Sequence, residues 1–359
     1  MIRTIEQIVM SYAIRYTKLS EMIAIQFNNS QYAGSDKINI FIDVTKIIRS
    51  VNIEIMDGYK DDDNYYSLCA SLLNLCAHYK NFFNSGYNVS TNIFLLYTSE
   101  NFIYNTKHVK EYKYYGKFIT HRDMTCFNLD ILADVCKFLP NIYFISTGTE
   151  CIIPMYDILV NKNDSAPSIF ITKDPYNWQS IMLNGVSIFV PVKYKGNDNS
   201  YIVDGNNIYE ALCHVRNCKY SDYGLSPLLY PVLLAMTKVP ERGLHQLKSI
   251  NFSMKWLRSC IDKFIIPNSY IAPITGNINM NNDTIMGMID GSGINGFELR
   301  ERLLAIDMQE QYNTYRYLRN VSTDMDYTGL VDMVDPAGIE YIDRKYFQKS
   351  KVDFGTLMV

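Results

Sequence analysis

The sequence lacks the short motifs that identify several large enzyme classes. It contains no GxxxxGK[ST], no GxSxG, no HExxH and no GxGxxG placed after a strand pattern. These motifs mark phosphate-binding loops, nucleophilic serines, zinc proteases and dinucleotide sites. The five histidines form no sequence cluster. The chemistry of this chain, if it has any, must therefore rest on other residue types.

The eight cysteines show no CxxC spacing. Cys213, His214 and Cys218 lie close together, but no second ligand pair follows them at the spacing that a zinc site needs. The cysteines lie within apolar stretches, so we expect buried, reduced thiols in a cytoplasmic setting. They occupy positions 69, 76, 126, 136, 151, 213, 218 and 260.

Long apolar runs are also absent. No run approaches 18 residues, and the first residues lack a charged segment followed by an apolar one and a small-residue cleavage site. We therefore expect a protein that has no membrane span, is not secreted by a signal peptide, and resides in a host cytoplasm or a virion.

The composition is that of a folded globular protein with little net charge. Of 359 residues, 48% are hydrophobic and 20% are charged, and the net charge is -3. Any nucleic-acid contact must therefore come from a local basic patch. Heavy use of Asn, Ile, Lys and Tyr is typical of AT-rich coding sequences, such as those of many phages and low-GC bacteria.

Apolar, strand-like runs alternate with helical patterns along the first two thirds of the chain. Nearly continuous apolar strands between helices are typical of a parallel sheet covered on both faces, so the predicted fold class is α/β. Predicted strands are 37–43, 92–97, 142–146, 168–172 and 186–190. Predicted helices are 3–28, one after Thr45, 65–83, 128–139, 226–238, 253–264 and 297–319.

These patterns divide the chain into four parts. Residues 1–36 are predicted to form an N-terminal helical extension, and residues 37–223 an α/β domain. Residues 224–275 are predicted to be a helical region. Residues 276–359 form a C-terminal extension that begins with the Gly- and Asn-rich stretch from Gly276 to Gly296.

Three acidic residues stand where predicted strands end or helices begin. Asp43 ends the run Asn39-Ile40-Phe41-Ile42-Asp43, Glu150 lies in Gly148-Thr149-Glu150-Cys151-Ile152-Ile153-Pro154, and Asp174 lies in Thr172-Lys173-Asp174-Pro175-Tyr176-Asn177-Trp178-Gln179. An aspartate at a helix start is a common capping residue. For Asp43 a structural role as a cap and a functional role therefore have equal weight.

The order of these segments over residues 37–265 resembles the 5′-nuclease family, the flap endonucleases and 5′–3′ exonucleases built on a PIN-like α/β domain. The resemblance implies a mostly parallel sheet flanked by helices and a helix-three-turn-helix-like region at 224–275. It also implies that Asp43, Glu150 and Asp174 bind metal, which would be Mg²⁺ or Mn²⁺ in an active enzyme.

Other acids of the family's pattern are replaced here. Ile152 and Ile153 stand in place of two aspartates, and Tyr176 stands in place of the second acid of the metal loop. Tyr97 and its neighbours occupy a further acidic position. Lys173 replaces a glycine and could neutralise Asp174 as an ion-pair partner. A two-metal mechanism requires bridging carboxylates, so the losses predict little or no catalysis and no cofactor.

Residues 102–122 resemble the family's arch, which grips single-stranded 5′ ends. Lysines and one arginine interleave with aromatic residues there, a pattern typical of single-strand binding. Lys113 and Arg122 match the residues that would contact the scissile phosphate. A solvated helix or a protein-contact surface explains the same pattern, so DNA binding through 102–122 is one of two alternatives.

The favoured hypothesis is a catalytically depleted 5′-nuclease-like protein that serves as a structural or interaction component of an assembly, such as a phage virion. Its expected partners are other protein subunits. The alternatives are an active 5′-nuclease that uses divalent metal and a DNA-binding protein that does not cut.

Overall fold

The structure of the protein is a computed structural model. It describes residues 4–13, 35–54, 62–98, 129–147, 151–161, 166–183, 185–191, 193–194, 197–198, 201–205, 207–215, 230–231, 234, 308, 336–348 and 350–359. The sequence-based predictions for 253–264 and for the Gly- and Asn-rich stretch lie outside these residues. Of the predicted helix at 297–319, only Met308 is described, and it is helical.

Eight strands are found in the described chain. They are β1 Lys37–Asp43, β2 Ser90–Thr98, β3 Ile142–Thr147, β4 Ser168–Ile171, β5 Val186–Val190, β6 Lys193–Tyr194, β7 Asn197–Asp198 and β8 Tyr201–Val203.

Eight α-helices have both bounds within the described residues. They are α1 Ile5–Val9, α2 Val44–Glu54, α3 Asp62–Tyr87, α4 Asp130–Cys136, α5 Ile152–Tyr156, α6 Ile208–Val215, α7 Pro336–Tyr346 and α8 Phe354–Leu357. Two 3-10 helices cover Met10–Tyr12 and Pro175–Met182, and one π-helix covers Asp157–Asn161.

Six strands form one sheet in the order β3-β2-β1-β4-β5-β8. Strands β1 to β5 are parallel, and β8 is antiparallel to β5 at the edge. The chain moves outward from β1 on one side through β2 and β3, and then returns to the other side of β1 with β4. The carboxyl ends of β1 and β4 therefore meet where the strand order reverses, which is where open α/β sheets bind ligands.

The predicted α/β class is thus confirmed, as is a mostly parallel sheet flanked by helices. The five predicted strands all occur within a few residues of their expected bounds. Their β-branched and aromatic residues are buried on both faces, as in β1, where every residue from Ile38 to Asp43 is buried. Two-sided burial is what a parallel sheet covered by helices requires.

One face of the sheet carries the main apolar core. Ile38, Ile40 and Ile42 of β1 point into it with residues of α1, α2, α3 and α4. On the alternate residues of the strands, Phe41, Phe94 and Tyr143 stack across β1, β2 and β3. Their ring centroids are 4.7 and 4.9 Å apart in succession.

The N-terminal segment differs from the predicted continuous helix over 3–28. The α-helix ends at Val9, a 3-10 turn follows, and Ala13 is extended. At the break, one side chain from the turn itself and one from α3 donate hydrogen bonds to carbonyl oxygens of the chain. Ser11 Oγ donates to Ile8 O at 2.6 Å, and Tyr79 OH donates to Tyr12 O at 2.6 Å.

The C-terminal segment packs back onto the α/β core. Five apolar residues of α7, α8 and the turn between them join the same buried cluster as α1 and α3. They are Ile339, Ile342, Phe347, Phe354 and Leu357. Within the described part of the chain, no helix is long and apolar enough to cross a membrane.

Candidate functional site

A group of polar side chains lies at the carboxyl ends of β1 and β4. Ile42 is paired with Ile171 across the two parallel strands. The residues that follow, Asp43 at the end of β1 and Thr172 just after β4, therefore lie side by side. Thr172 Oγ1 donates to Asp43 Oδ2 at 2.8 Å, and both residues are buried.

The Asp43 carboxylate accepts four hydrogen bonds. Its Oδ1 accepts from the Lys46 backbone N–H at 3.0 Å and from Cys151 Sγ at 3.5 Å. Its Oδ2 accepts from Thr172 and from Asn177 Nδ2, the latter at 3.0 Å. A carboxylate has about four lone-pair positions, so these donors use its full accepting capacity.

The first of these bonds confirms the capping role of Asp43. Lys46 is the third residue of α2, and an aspartate before a helix normally accepts from this N–H. The metal-binding role of Asp43 remains a prediction.

Burial raises the pKa of Asp43 to about 6. The Lys46 ammonium opposes this shift, the nearby Asp174 carboxylate adds to it, and the Thr172 hydrogen bond opposes it again. Desolvation outweighs these contacts because the carboxylate is 1% exposed.

Asp174 forms an ion pair with Lys46. The distance from Lys46 Nζ to Asp174 Oδ2 is 2.9 Å, and the side chains are 15% and 5% exposed. The other oxygen, Oδ1, accepts from Tyr176 N at 3.1 Å and so caps the 3-10 helix that begins at Pro175. Thr172 Oγ1 accepts from the Asp174 N–H and fixes the loop. Asp174 thus has a structural role in addition to its charge.

The 3-10 helix Pro175–Met182 is enclosed by the rest of the protein. Its residues from Pro175 to Ser180 are all buried. Two described positions from the later part of the chain contact it: Tyr230 OH donates to Pro175 O at 2.8 Å, and Met308 N donates to Gln179 Oε1 at 3.2 Å. The loop that carries Asp174 is therefore an internal element.

A second set of contacts lies at the end of β2, where the resembled family has an acid. Thr45 Oγ1 accepts from the Thr98 N–H at 2.8 Å. The Cys151 thiol lies 3.5 Å from Thr45 Oγ1 and 3.6 Å from Thr98 Oγ1, and it also contacts Leu96 O at 3.4 Å. Hydroxyl and thiol groups occupy this position, and they are poor ligands for Mg²⁺.

Two of the five predicted site residues are brought together. Asp43 and Asp174 both contact Lys46, while Glu150, Lys113 and Arg122 lie outside the described residues. Asp174 pairs with Lys46, and the expectation that Lys173 neutralises Asp174 stays a prediction. Lys173 Nζ lies 4.2 Å from the centroid of the Tyr12 ring.

The sequence reasoning missed Lys46, Thr172 and Asn177. The contact of Lys46 with Asp43 could have been predicted, because Lys46 stands three residues after Asp43 at the start of a helix. The contacts of Thr172 and Asn177 could not be predicted in this way. Their spacing is ordinary for a capped turn, and only the pairing of β1 with β4 brings them to Asp43. Asn177 is 2% exposed, and its Oδ1 is a buried acceptor without a hydrogen-bond donor.

The described donor set does not fit a divalent cation. Mg²⁺ and Mn²⁺ need free carboxylate oxygens, yet those of Asp43 are saturated by donors and Asp174 Oδ2 contacts an ammonium group. Among the residues that the structure describes, no three His, Cys, Asp or Glu side chains form a group that could hold a metal.

In comparisons with models of known protein families and with curated proteins, nothing matches this chain. The resemblance to the 5′-nucleases therefore stays a prediction from the sequence segments given above.

Proposed function

We propose that this chain is a catalytically depleted 5′-nuclease-like protein with a PIN-like α/β domain, and that it serves as a structural or interaction component of an assembly such as a phage virion. The observation that carries the proposal is the state of its acidic site. Asp43 and Asp174 are 1% and 4% exposed, and protein groups occupy the oxygens that metal ions would need.

Hydrolysis of a phosphodiester by two metal ions requires carboxylates that bridge the ions and a surface that the nucleic acid can reach. Neither condition is met by Asp43 and Asp174. The Asp174 loop is enclosed, and donors from four residues surround the Asp43 carboxylate. Rebuilding a metal site would require breaking several of these bonds.

The substituted positions support the same proposal. Ile152 and Ile153, which stand in place of two acids, are 0% and 2% exposed and form the first turn of α5. Tyr176 is fully buried in the 3-10 helix. These residues contribute apolar area to packing at positions where carboxylates would be costly to bury. The substitutions favour a stable fold over a charged, open cleft.

A role in an assembly explains why such a fold is retained without its chemistry. The chain carries segments beyond the α/β domain, and its C-terminal helices are packed onto the core. The expected partners are protein subunits. DNA binding through residues 102–122 is the alternative that the basic and aromatic pattern of that segment supports.

A nuclease assay tests the loss of catalysis. Purified full-length protein is incubated with a 5′-labelled flap substrate in Mg²⁺ or Mn²⁺, beside an Asp174→Asn variant as a matched control. We expect the two proteins to give the same background. Metal-dependent cleavage that is lost in Asp174→Asn would instead establish an active 5′-nuclease.

Light scattering after size-exclusion chromatography tests the structural role. We expect a mass above that of the 41.6 kDa chain at micromolar concentration, or co-purification with specific proteins from the native source. A monomer with no protein partner would contradict the proposal. In parallel, salt-dependent DNA binding whose slope falls by about 2 in the Lys113→Ala/Arg122→Ala double variant would favour the DNA-binding alternative.

A further inference from the structure

The C-terminal segment, residues 336–359, is held on α3 by hydrogen bonds to its backbone. Asn74 Nδ2 donates to Lys351 O at 2.8 Å, and Asn74 Oδ1 accepts from the Asp353 N–H at 3.1 Å. Lys80, less than two turns further along α3, donates to Leu357 O at 2.8 Å. In peptide recognition, main-chain bonds of this kind supply affinity and side-chain pockets supply specificity. We call the surface around Asn74 and Lys80 the α3 docking site.

Four apolar side chains anchor the segment in the core. Ile339 and Ile342 of α7 are 4% and 5% exposed, and Phe354 and Leu357 of α8 are 8% and 0% exposed. Each helix thus presents two anchors three residues apart, which is how amphipathic helices dock in grooves. The residues between and beside the anchors are exposed: Glu340, Tyr341, Arg344, Lys345, Lys351, Asp353 and Gly355.

The segment also organises α8 by itself. Asp353 Oδ1 accepts from the Thr356 N–H at 3.1 Å, and Asp353 Oδ2 accepts from the Thr356 hydroxyl at 2.7 Å. Both bonds are local and need nothing from the core. They reduce the conformational freedom that the segment loses when it docks. The C-terminal segment therefore has the features of a peptide ligand.

We propose that the α3 docking site also accepts the C-terminal segment of a second copy of this chain, so that neighbouring subunits exchange these segments. The inference rests on the proposed function, because a component of an assembly needs a contact between subunits. A segment from another copy makes the same bonds to Asn74 and Lys80 as the chain's own, so exchange costs little. Residues 309–335 connect Met308 to α7, and a chain of that length can span up to about 90 Å.

Concentration decides between the two arrangements. A covalently connected segment returns to its own core with an effective concentration on the order of 1 mM. Dilute protein therefore keeps its own segment docked. Neighbouring subunits in an assembly supply competing segments at a similar concentration, so we expect exchange to increase with protein concentration.

A disulfide trap tests the exchange in the full-length protein. Asn74 and Asp353 are hydrogen-bonded in the docked state, so cysteines at these positions come close together. The variants Asn74→Cys and Asp353→Cys are mixed at about 1 mM and treated with oxidised glutathione. On a non-reducing gel we expect a covalent heterodimer that decreases on dilution and is absent from either variant alone. Asn74→Cys/Asp353→Cys in one chain is the positive control and should close the bond within a monomer in dilute solution.

A labelled synthetic peptide of the C-terminal segment gives an independent measurement. Its receptor is the full-length variant Phe354→Asp/Leu357→Asp, whose own segment carries charges at buried positions and docks poorly. We expect saturable binding, and binding to the wild type about tenfold weaker because its site is occupied. Adding Asn74→Ala to the receptor should weaken binding by about tenfold. The Gly355→Ala peptide should bind like the original, because a Cβ there meets only an atom of the segment itself, 3.5 Å away.

Two results would overturn the inference. One is closure of the disulfide in the double-cysteine chain with no heterodimer in the mixture. The other is a Phe354→Asp/Leu357→Asp protein, folded by circular dichroism, that does not bind the peptide. Each measurement decides alone, so a variant that fails to fold leaves the other in force. An oligomer by light scattering without a heterodimer would contradict the exchange and leave the proposed assembly role standing.

Discussion

The side chain of Lys80 donates hydrogen bonds to two backbone carbonyl oxygens, one of which belongs to Leu357, 277 residues later in the chain. The Nζ···O distances are 2.8 Å to Leu357 and 2.9 Å to Pro140. Lys80 lies on α3 and is 1% exposed, so this contact fastens the last helix to the core from inside. Burial lowers the pKa of its ammonium to about 8.

This shift predicts how stability depends on pH. Between pH 8 and 10.5 the unfolded chain binds more protons at Lys80 than the native protein does, so the free energy of unfolding should rise with pH across that window. The neutral amine still has two N–H groups, one for each carbonyl. The Lys80→Met variant should lack this increase, which we expect to be on the order of 2 kcal/mol.

Urea unfolding of both proteins at several pH values from 7 to 10.5 measures the difference directly. Titration of the tyrosines and of thiols remote from Lys80 is common to both proteins and cancels in the comparison. A constant difference across this range would show that Lys80 keeps an ordinary pKa.

Asn74 holds the C-terminal segment at a second place. Its Nδ2 donates to Lys351 O at 2.8 Å, and its Oδ1 accepts from Asp353 N at 3.1 Å. Asn74→Ala should lower the free energy of unfolding by about 1–2 kcal/mol, because two backbone groups lose their partners. Hydrogen exchange in α8 should accelerate more than exchange in β1. Ser85→Ala, which removes an exposed hydroxyl from the same helix, is the matched control and should behave as wild type.

Thr172 connects the two halves of the acidic site. Its hydroxyl donates to Asp43 and accepts from Asp174 N and from Asn177 Nδ2. Thr172→Val has nearly the same shape but leaves buried polar groups unpaired, so we expect it to cost about 1–3 kcal/mol. Thr172→Ser keeps the hydroxyl and should cost less. Thermal unfolding of the two variants distinguishes the hydrogen bonds from packing, because Val lacks only the hydroxyl and Ser lacks only the methyl group. A loss in Thr172→Ser as large as that in Thr172→Val would contradict the leading role of the hydroxyl.

The ion pair between Lys46 and Asp174 can be measured by a double-mutant cycle. Lys46→Met alone removes the ammonium group that lies 2.9 Å from a buried carboxylate and should cost about 3 kcal/mol. Asp174→Asn in the same chain removes that charge and should recover part of the loss. Additive effects of the two substitutions would mean that the residues do not interact in solution.

Much of the fold follows from local sequence. The run Ile38–Ile42 is apolar except for Asn39 and rich in isoleucine, and the parallel sheet buries both of its faces. Such runs made the strands and the α/β class predictable. The helix over 3–28 was not, because the apolar spacing continues past Tyr12. Side chains from α3 and from the turn itself engage the carbonyls there, and periodicity carries no information about such contacts.

The sequence by itself determined the strands of the sheet and the acids that stand at the strand ends. Strand formation and helix capping depend on residues only a few positions apart, so local patterns predict them. Only the tertiary structure decided what those acids do. The pairing of β1 with β4 places Thr172 beside Asp43, and Lys46, one helical turn beyond Asp43, comes to lie against Asp174. Electrostatic partners are chosen by distance in space, and the distance between residues 46 and 174 is fixed only when the sheet assembles.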